Sequence, residues 1–378
     1  MSTGLRRDLV DALTAHGWLR DERVVEAFRT VPREAFVPGV PLERVYADQA
    51  LVTKRDEDGI PISSSSQPSI MAAMLQQLDT RPGHRVLEVG AGTGYNAALL
   101  GQLVGPEGVV VSVDIDDDLV LAARDHLADA GLADWVRFRT GDGWLGRPED
   151  APFDRIVATV GVWDLASAWL DQLTEGGVLV VPLWLRPGLQ LSVAFHWRRT
   201  DLISSSVECC GFQRLRGPHA GPEAYVPVTA SVLASMEGAT DDTVKALREL
   251  LASEPTVMEA PPLVEGWAAR LALDEDYPVQ LADLTDPDPG SIMFGLYSRN
   301  GLAVVRGERL LGYGERDTVD RLARYLRYAS PLRVGDLRIV ARRTTNVEGP
   351  ASAGPPERGW RLARPSCVLD VFEGPLPS

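Results

Sequence analysis

Cysteine is scarce in this chain. Only Cys209, Cys210 and Cys367 occur in 378 residues. Two of them are adjacent, three cannot pair fully, and no metal-ligand spacing accompanies them. A disulfide framework and a cysteine metal site are therefore not expected, and a reducing cytoplasm is the expected setting. Long apolar runs are lacking too. The longest, 178–185, contains Pro182 and reads as a buried strand, far short of a membrane span. Residues 1–11 carry charges and no apolar stretch, so no signal peptide is expected. Positive charge is in deficit: 38 Lys and Arg stand against 53 Asp and Glu, a formal net charge of −15. With no Lys/Arg run to form a basic groove, nucleic acid is not an expected partner. A neutral or basic peptide or a small molecule suits this charge better, although acidity also serves plain solubility.

What is present is enough apolar sequence for a normal core, in a chain long enough for two domains. Over 5–38, Leu5, Leu9, Leu13 and then Val24, Val25 and Phe28 recur at helical spacing. Residues 53–69 are polar and irregular and end in Ser63-Ser64-Ser65-Ser66-Gln67-Pro68-Ser69, which reads as a linker or a site loop. A regular alternation follows: strand 85–89, helix 95–103, strand 109–113, helix 117–130, strands 136–140 and 155–159, helix 164–173 and strand 178–181. Strands alternating with helices predict a parallel sheet covered on both faces. Segments 191–197 and 203–209 flank a polar turn and predict an edge hairpin. Beyond 220 the pattern changes. Helices are expected at 240–252, 263–273 and 317–328, strands at 293–297, 302–305 and 336–341, and a loop at 344–358. The expected organisation is a helical and substrate-loop segment at 1–80, an α/β core at 81–218, and a C-terminal α+β accessory domain at 219–378 that is a candidate for substrate recognition. Trp267, Trp360, Leu310, Leu311 and Tyr313 are read as core of that domain.

The strongest motif is Glu88-Val89-Gly90-Ala91-Gly92-Thr93-Gly94-Tyr95, which follows a strand and opens a helix. Glycines allow tight turns and close approach of a ligand, and a helix N-terminus presents free N–H groups. Asp114, at the end of the second strand, is placed to accept hydrogen bonds from ribose hydroxyls. Gly141-Asp142-Gly143, just past the third strand, is positioned to put Asp142 beside an adenine amino group. No Lys-Ser/Thr pair follows the glycines, so a P-loop is excluded. His84, His126, His196 and His219 fall on predicted surface turns or edges and His16 precedes a glycine, and none of the five is expected to be catalytic.

These residues resemble S-adenosylmethionine (SAM) dependent methyltransferases with a Rossmann-like core, and more narrowly the protein-L-isoaspartate O-methyltransferase family. The similarity runs from about residue 5 to 216. It includes Asp21-Glu22-Arg23-Val24, Val31-Pro32-Arg33-Glu34-Ala35-Phe36-Val37-Pro38, Tyr46-Ala47-Asp48, Ser66-Gln67-Pro68, the glycine loop, Gly141-Asp142-Gly143, Phe153-Asp154-Arg155-Ile156 and Gly176-Gly177. The resemblance implies methyl transfer from SAM to an aspartyl or isoaspartyl carboxylate of a peptide or protein, leaving S-adenosylhomocysteine (SAH). It implies that Glu88, Gly90, Gly92, Gly94, Asp114, Asp142 and Gly143 hold the cofactor, Glu88 and Gly90 near its methionine part, and that Ser66, with Ser65 beside it, meets the substrate carboxylate. No metal is implied. A carboxylate is already nucleophilic at neutral pH, so the absence of a His or Cys catalytic constellation is no objection. Two departures stand out: Ser69-Ile70 replaces the family's His-Met after the proline, and the serine run and C-terminal region are additional. Both resemble members that modify ribosomally made precursor peptides, whose aspartyl ester closes to an aspartimide and then opens to isoaspartate. The alternatives are general isoaspartate repair and a SAM-binding protein without turnover. Trp163 and Asp164, after the fourth strand, read either as site-lining residues or, for Asp164, as a helix N-cap.

Overall fold

The computed structural model describes residues 1–376, apart from 58, 60, 223–224, 287–290, 345–355 and 357–358. Most of the expected loop at 344–358 lies outside the described residues. The N-terminal region forms helices Ser2–Ala15 and Glu22–Thr30 and a short 3-10 turn, Arg33–Phe36. Asp21 caps the second helix by accepting from the Arg23 backbone N–H. The buried stripe Val24, Val25, Ala27 and Phe28 turns this helix onto the core.

The core is a ten-stranded sheet. Strands Phe153–Ala158, Arg85–Val89, Val109–Asp114 and Val136–Thr140 pair in parallel at one end, and Leu173–Arg186 joins them in parallel beside Phe153–Ala158. Valine and leucine on both faces bury these strands between helices, as an all-parallel sheet requires. From Leu173–Arg186 outward every pairing is antiparallel. Leu189–Arg198 and Asp201–Cys209 form the expected hairpin, but that hairpin is not the edge. Leu337–Arg343, Cys367–Glu373 and Gly359–Ala363 continue the sheet past it. Apolar residues of these last strands, including Ile339, Leu369 and Val371, belong to the same hydrophobic cluster as Leu87, Val111 and Leu179.

The expected accessory domain at 219–378 is therefore only partly a separate unit. Residues 225–314 build a second, antiparallel sheet of seven strands. Helix Asp241–Leu251 packs its Leu247 into one core cluster of this sheet, and helix Arg316–Tyr328 packs Leu322 and Leu326 into another. The chain then returns to the first sheet. Leu310, Leu311 and Tyr313 pack within these clusters. The polar stretch before the core is not irregular: Leu51–Arg55 and Pro61–Ser65 form a two-stranded hairpin. Helix 164–173 is shorter than expected, running Ser167–Gln172 with Ala166 as its N-cap. Asp164 instead accepts from the backbone N–H groups of Leu165 and Ser366.

Candidate active site

The glycine loop crosses the carboxyl end of the parallel strands, where open α/β sheets bind ligands. Gly90 has φ +103°, and a Cβ there would stand 2.6 Å from Thr159 Oγ1 and 2.9 Å from Val160 Cγ1. Gly94, at φ +87°, is the N-cap of helix Tyr95–Val104 and lies against Ala123. Gly92 faces the serine strand: a Cβ on it would meet the Ser64 carbonyl oxygen at 3.6 Å. The serine hairpin thus forms a roof over the glycine loop. Lys54 pins the hairpin there, its Nζ 2.8 Å from carboxylate oxygens of both Asp116 and Asp118.

Asp114 is 8% exposed. One of its oxygens accepts the Gly92 N–H at 2.9 Å, the other the Asp116 N–H at 3.2 Å. Burial raises its pKa, against the lowering effect of these hydrogen bonds and of Arg216. Asp116 is held below the ordinary carboxylate range, chiefly by its Arg216 hydrogen bond. Glu88 is fully buried and does not line the cleft. Its carboxyl accepts from Ser112 Oγ and from Asn96 Nδ2, and burial pushes its pKa up to about 7. It ties strand Val109–Asp114 to the first turn of the glycine-loop helix. Asp142 accepts the Trp144 N–H at 2.9 Å and caps a short 3-10 turn; Gly143 lines the cleft, whereas Asp142 does not.

A cavity of about 1140 Å³ brings together Ser65, Ser66, Gly90, Gly92, Asp114 and Gly143. Glu88, Gly94 and Asp142 support its wall from behind. Ser65 is 2% exposed, and its Oγ has no hydrogen-bond partner among the described residues. The Ser66 carbonyl oxygen accepts from Arg33 Nη2 at 2.9 Å, and the same nitrogen donates to the Gln49 carbonyl at 3.2 Å. Arg33 is wholly buried beside the Tyr95 ring, with its guanidinium pKa lowered by burial. Asp48 accepts from the Ser69 N–H and from Gln67 Nε2. Three motifs far apart in the sequence, the Val-Pro-Arg block, Tyr46-Ala47-Asp48 and the Ser-x-Pro loop, therefore converge to fix one short strand end.

Sequence reasoning named no role for Arg33, Asp48 or Thr159, although Arg33 and Asp48 sit inside blocks that carried the resemblance. It also missed the far wall of the cavity, where Trp184, Gln190 and Arg214 of the core meet Tyr225, Leu233 and Gln280 of the second sheet. None of these residues stands in a motif, and only the return of the chain assembles them. The glycine loop, Asp114 and apolar Ile115 and Leu119 line the same cavity as the serines and the second sheet, a set that suits a nucleoside with a further group beside it.

Comparisons with known proteins agree with this arrangement. A family model described as protein-L-isoaspartate(D-aspartate) O-methyltransferase matches residues 5–212. A protein-L-isoaspartate O-methyltransferase of Methanopyrus kandleri is 42% identical over 178 residues, 47% of this chain and 76% of that protein. One of Hyperthermus butylicus is 36% identical over 231 residues, 59% of this chain and 93% of the relative. A solved structure described as a protein-L-isoaspartate O-methyltransferase superposes with a TM-score of 0.54 at 28% identity, over 89% of this chain and 96% of its own.

Proposed function

The chain belongs to the protein-L-isoaspartate O-methyltransferase family of SAM-dependent enzymes, and from this we propose that its cleft esterifies the free α-carboxylate of an isoaspartyl residue in a peptide or protein segment. The observation that carries the reading is the buried, unpartnered Ser65 hydroxyl, which shares one cavity with the glycine loop and Asp114. The backbone of Gly90 and Gly92, the Asp114 carboxylate and Gly143 would hold the cofactor, with Glu88, Gly94 and Asp142 keeping those groups in place. When bound, the cofactor supplies the methyl group and a sulfonium leaving group, so charge is neutralised in the transfer and the products are the methyl ester and SAH.

The protein's own task is alignment and exclusion of water. Ser65 and Ser66 hydroxyls donate to the substrate carboxylate and orient one of its oxygens. A neutral donor holds that oxygen without quenching it as an ion pair with arginine would. Arg33 acts one step back, as a positioning residue, by holding the Ser66 carbonyl. No general base is needed, because the attacking oxygen carries no proton at neutral pH.

A dedicated precursor peptide, methylated at aspartate on the way to an aspartimide, is the second reading. Ser69-Ile70 after the proline and the serine run favour it. The C-terminal region does not separate the two readings, because a solved structure carrying only the general description aligns over 89% of this chain. Methylation of matched synthetic peptides, one isoaspartyl and one aspartyl, decides between them. Ester formed on the isoaspartyl peptide alone supports repair, and ester on the aspartyl peptide, followed by loss of methanol, supports tailoring.

A further inference from the structure

A smaller recess opens beside the main cleft, between the core and the second sheet. Trp163, Trp184 and Arg186 of the core line it together with Ser235 of the second sheet, with about 20 Å³ of space for a water-sized sphere. Four polar atoms of these residues are buried with no hydrogen-bond partner among the described residues: the indole Nε1 of Trp163, that of Trp184, Arg186 Nε and Ser235 Oγ. Trp184 is 8% exposed and Ser235 only 1%. Three of the four can only donate, and the hydroxyl can donate as well. Buried donors in a native fold call for an acceptor. A single water could accept from two of them and donate to the Ser235 hydroxyl, and would leave at least one donor unmet. The carboxylate lining the recess, Glu237, is already bound by Arg186 Nη1 at 2.8 Å.

The charge balance points the same way. Arg186 and Arg214 line the recess against Glu237. A third guanidinium, Arg364, is 8% exposed, stacks on the Trp163 ring at 4.5 Å, and donates to the carbonyls of Trp163 and Leu185. In a chain of net charge −15, two lining arginines against the one lining carboxylate make this pocket locally positive and rich in donors. Trp184 and Arg214 also line the main cleft, so the recess adjoins it at the wall that the core shares with the second sheet.

We propose that this recess is a subsite for a second carboxylate of the substrate, either an acidic side chain near the reacting residue or the peptide's own C-terminal carboxylate. The inference deepens the methyl-transfer reading above and rests on it for the identity of the peptide. It makes the second sheet part of substrate selection, with Ser235 as its direct contribution.

The test is calorimetric binding, in the presence of SAH, of three kinds of isoaspartyl peptide: an amidated form with no other acid, its free-acid form, and amidated forms carrying one glutamate at successive positions. About tenfold tighter binding is expected for one acidic form over the neutral one, and which form gains identifies the source of the carboxylate. Ser235→Ala, which removes one donor with little change of bulk, should abolish that preference while leaving the neutral peptide and SAH affinities unchanged. Equal affinity of all peptides for the parent protein would overturn the subsite even if methyl transfer proceeds. A preference without any methyl transfer would leave the subsite standing and remove the proposed function. Failure of every peptide to bind would remove both.

Discussion

Replacing Ser65 by alanine separates a structural serine from a functional one. The Ser65 Oγ is buried and makes no hydrogen bond among the described residues. Leaving a hydroxyl in that state costs about 1–3 kcal/mol. Its removal opens only a small void, so Ser65→Ala is expected to leave stability unchanged or raise it by about 1 kcal/mol, read as the midpoint of a urea unfolding curve. The same hydroxyl is proposed to donate to the substrate carboxylate. A hydrogen bond to a charged group contributes roughly 1.5–3 kcal/mol, which predicts about a 10- to 100-fold fall in kcat/KM for an isoaspartyl peptide. SAH affinity should not move. The assay is initial-rate methyl-ester formation over a range of peptide concentrations, beside calorimetry with SAH. A loss of stability with full activity would show that Ser65 is part of the packing, and the reasoning about the serine strand would fall.

Three further perturbations bear on the rest of the site. Asp114→Ala removes the acceptor of the Gly92 and Asp116 N–H groups and the proposed ribose partner, so calorimetry should find SAH binding about 100- to 1000-fold weaker. Glu88 has a folded pKa raised to about 7 from 4.5, so the folded state holds the extra proton between those values and stability falls as pH rises through that window. The decline, of at most about 3 kcal/mol, should appear in unfolding free energies measured from pH 4.5 to 7.5 and be absent in Glu88→Gln, whose amide can still serve Ser112 and Asn96. Arg33→Met keeps the buried volume and removes a desolvated cation, so stability should stay within about 2 kcal/mol. Freeing the Gln49 and Ser66 carbonyls should raise KM for peptide while SAH affinity holds; a fall in SAH affinity would mean that Arg33 serves the whole fold.

The local parts of this fold were legible in the sequence. The glycine loop, Asp114 and the alternating strands are set by neighbours a few residues apart, and glycine at positive φ leaves a readable mark. Strands Leu337–Arg343 and Cys367–Glu373 were harder, because their partners lie more than a hundred residues earlier or in a third strand of weak pattern. Nothing in their composition says that they extend the first sheet instead of closing a second domain. The serine hairpin was misread for another reason. Serine has little strand preference of its own, and Ser63 and Ser65 are extended because they are buried against the glycine loop. The supporting residues Arg33 and Asp48 act through backbone carbonyl and N–H groups, which leave no side-chain pattern to find. Glu88 was expected beside the cofactor but does not line the cleft, since alternation along its strand points it toward Ser112 and Asn96.

The central claim is that this cleft transfers a methyl group to a carboxylate of a peptide. Mass spectrometry of a synthetic isoaspartyl peptide incubated with the protein and SAM tests it most directly. The account predicts the gain of one methyl group on the isoaspartyl residue, labile to mild base, with release of SAH in equal amount. Tight binding of SAH with no methyl ester on either isoaspartyl or aspartyl peptides would contradict it and leave a cofactor-binding protein without this activity.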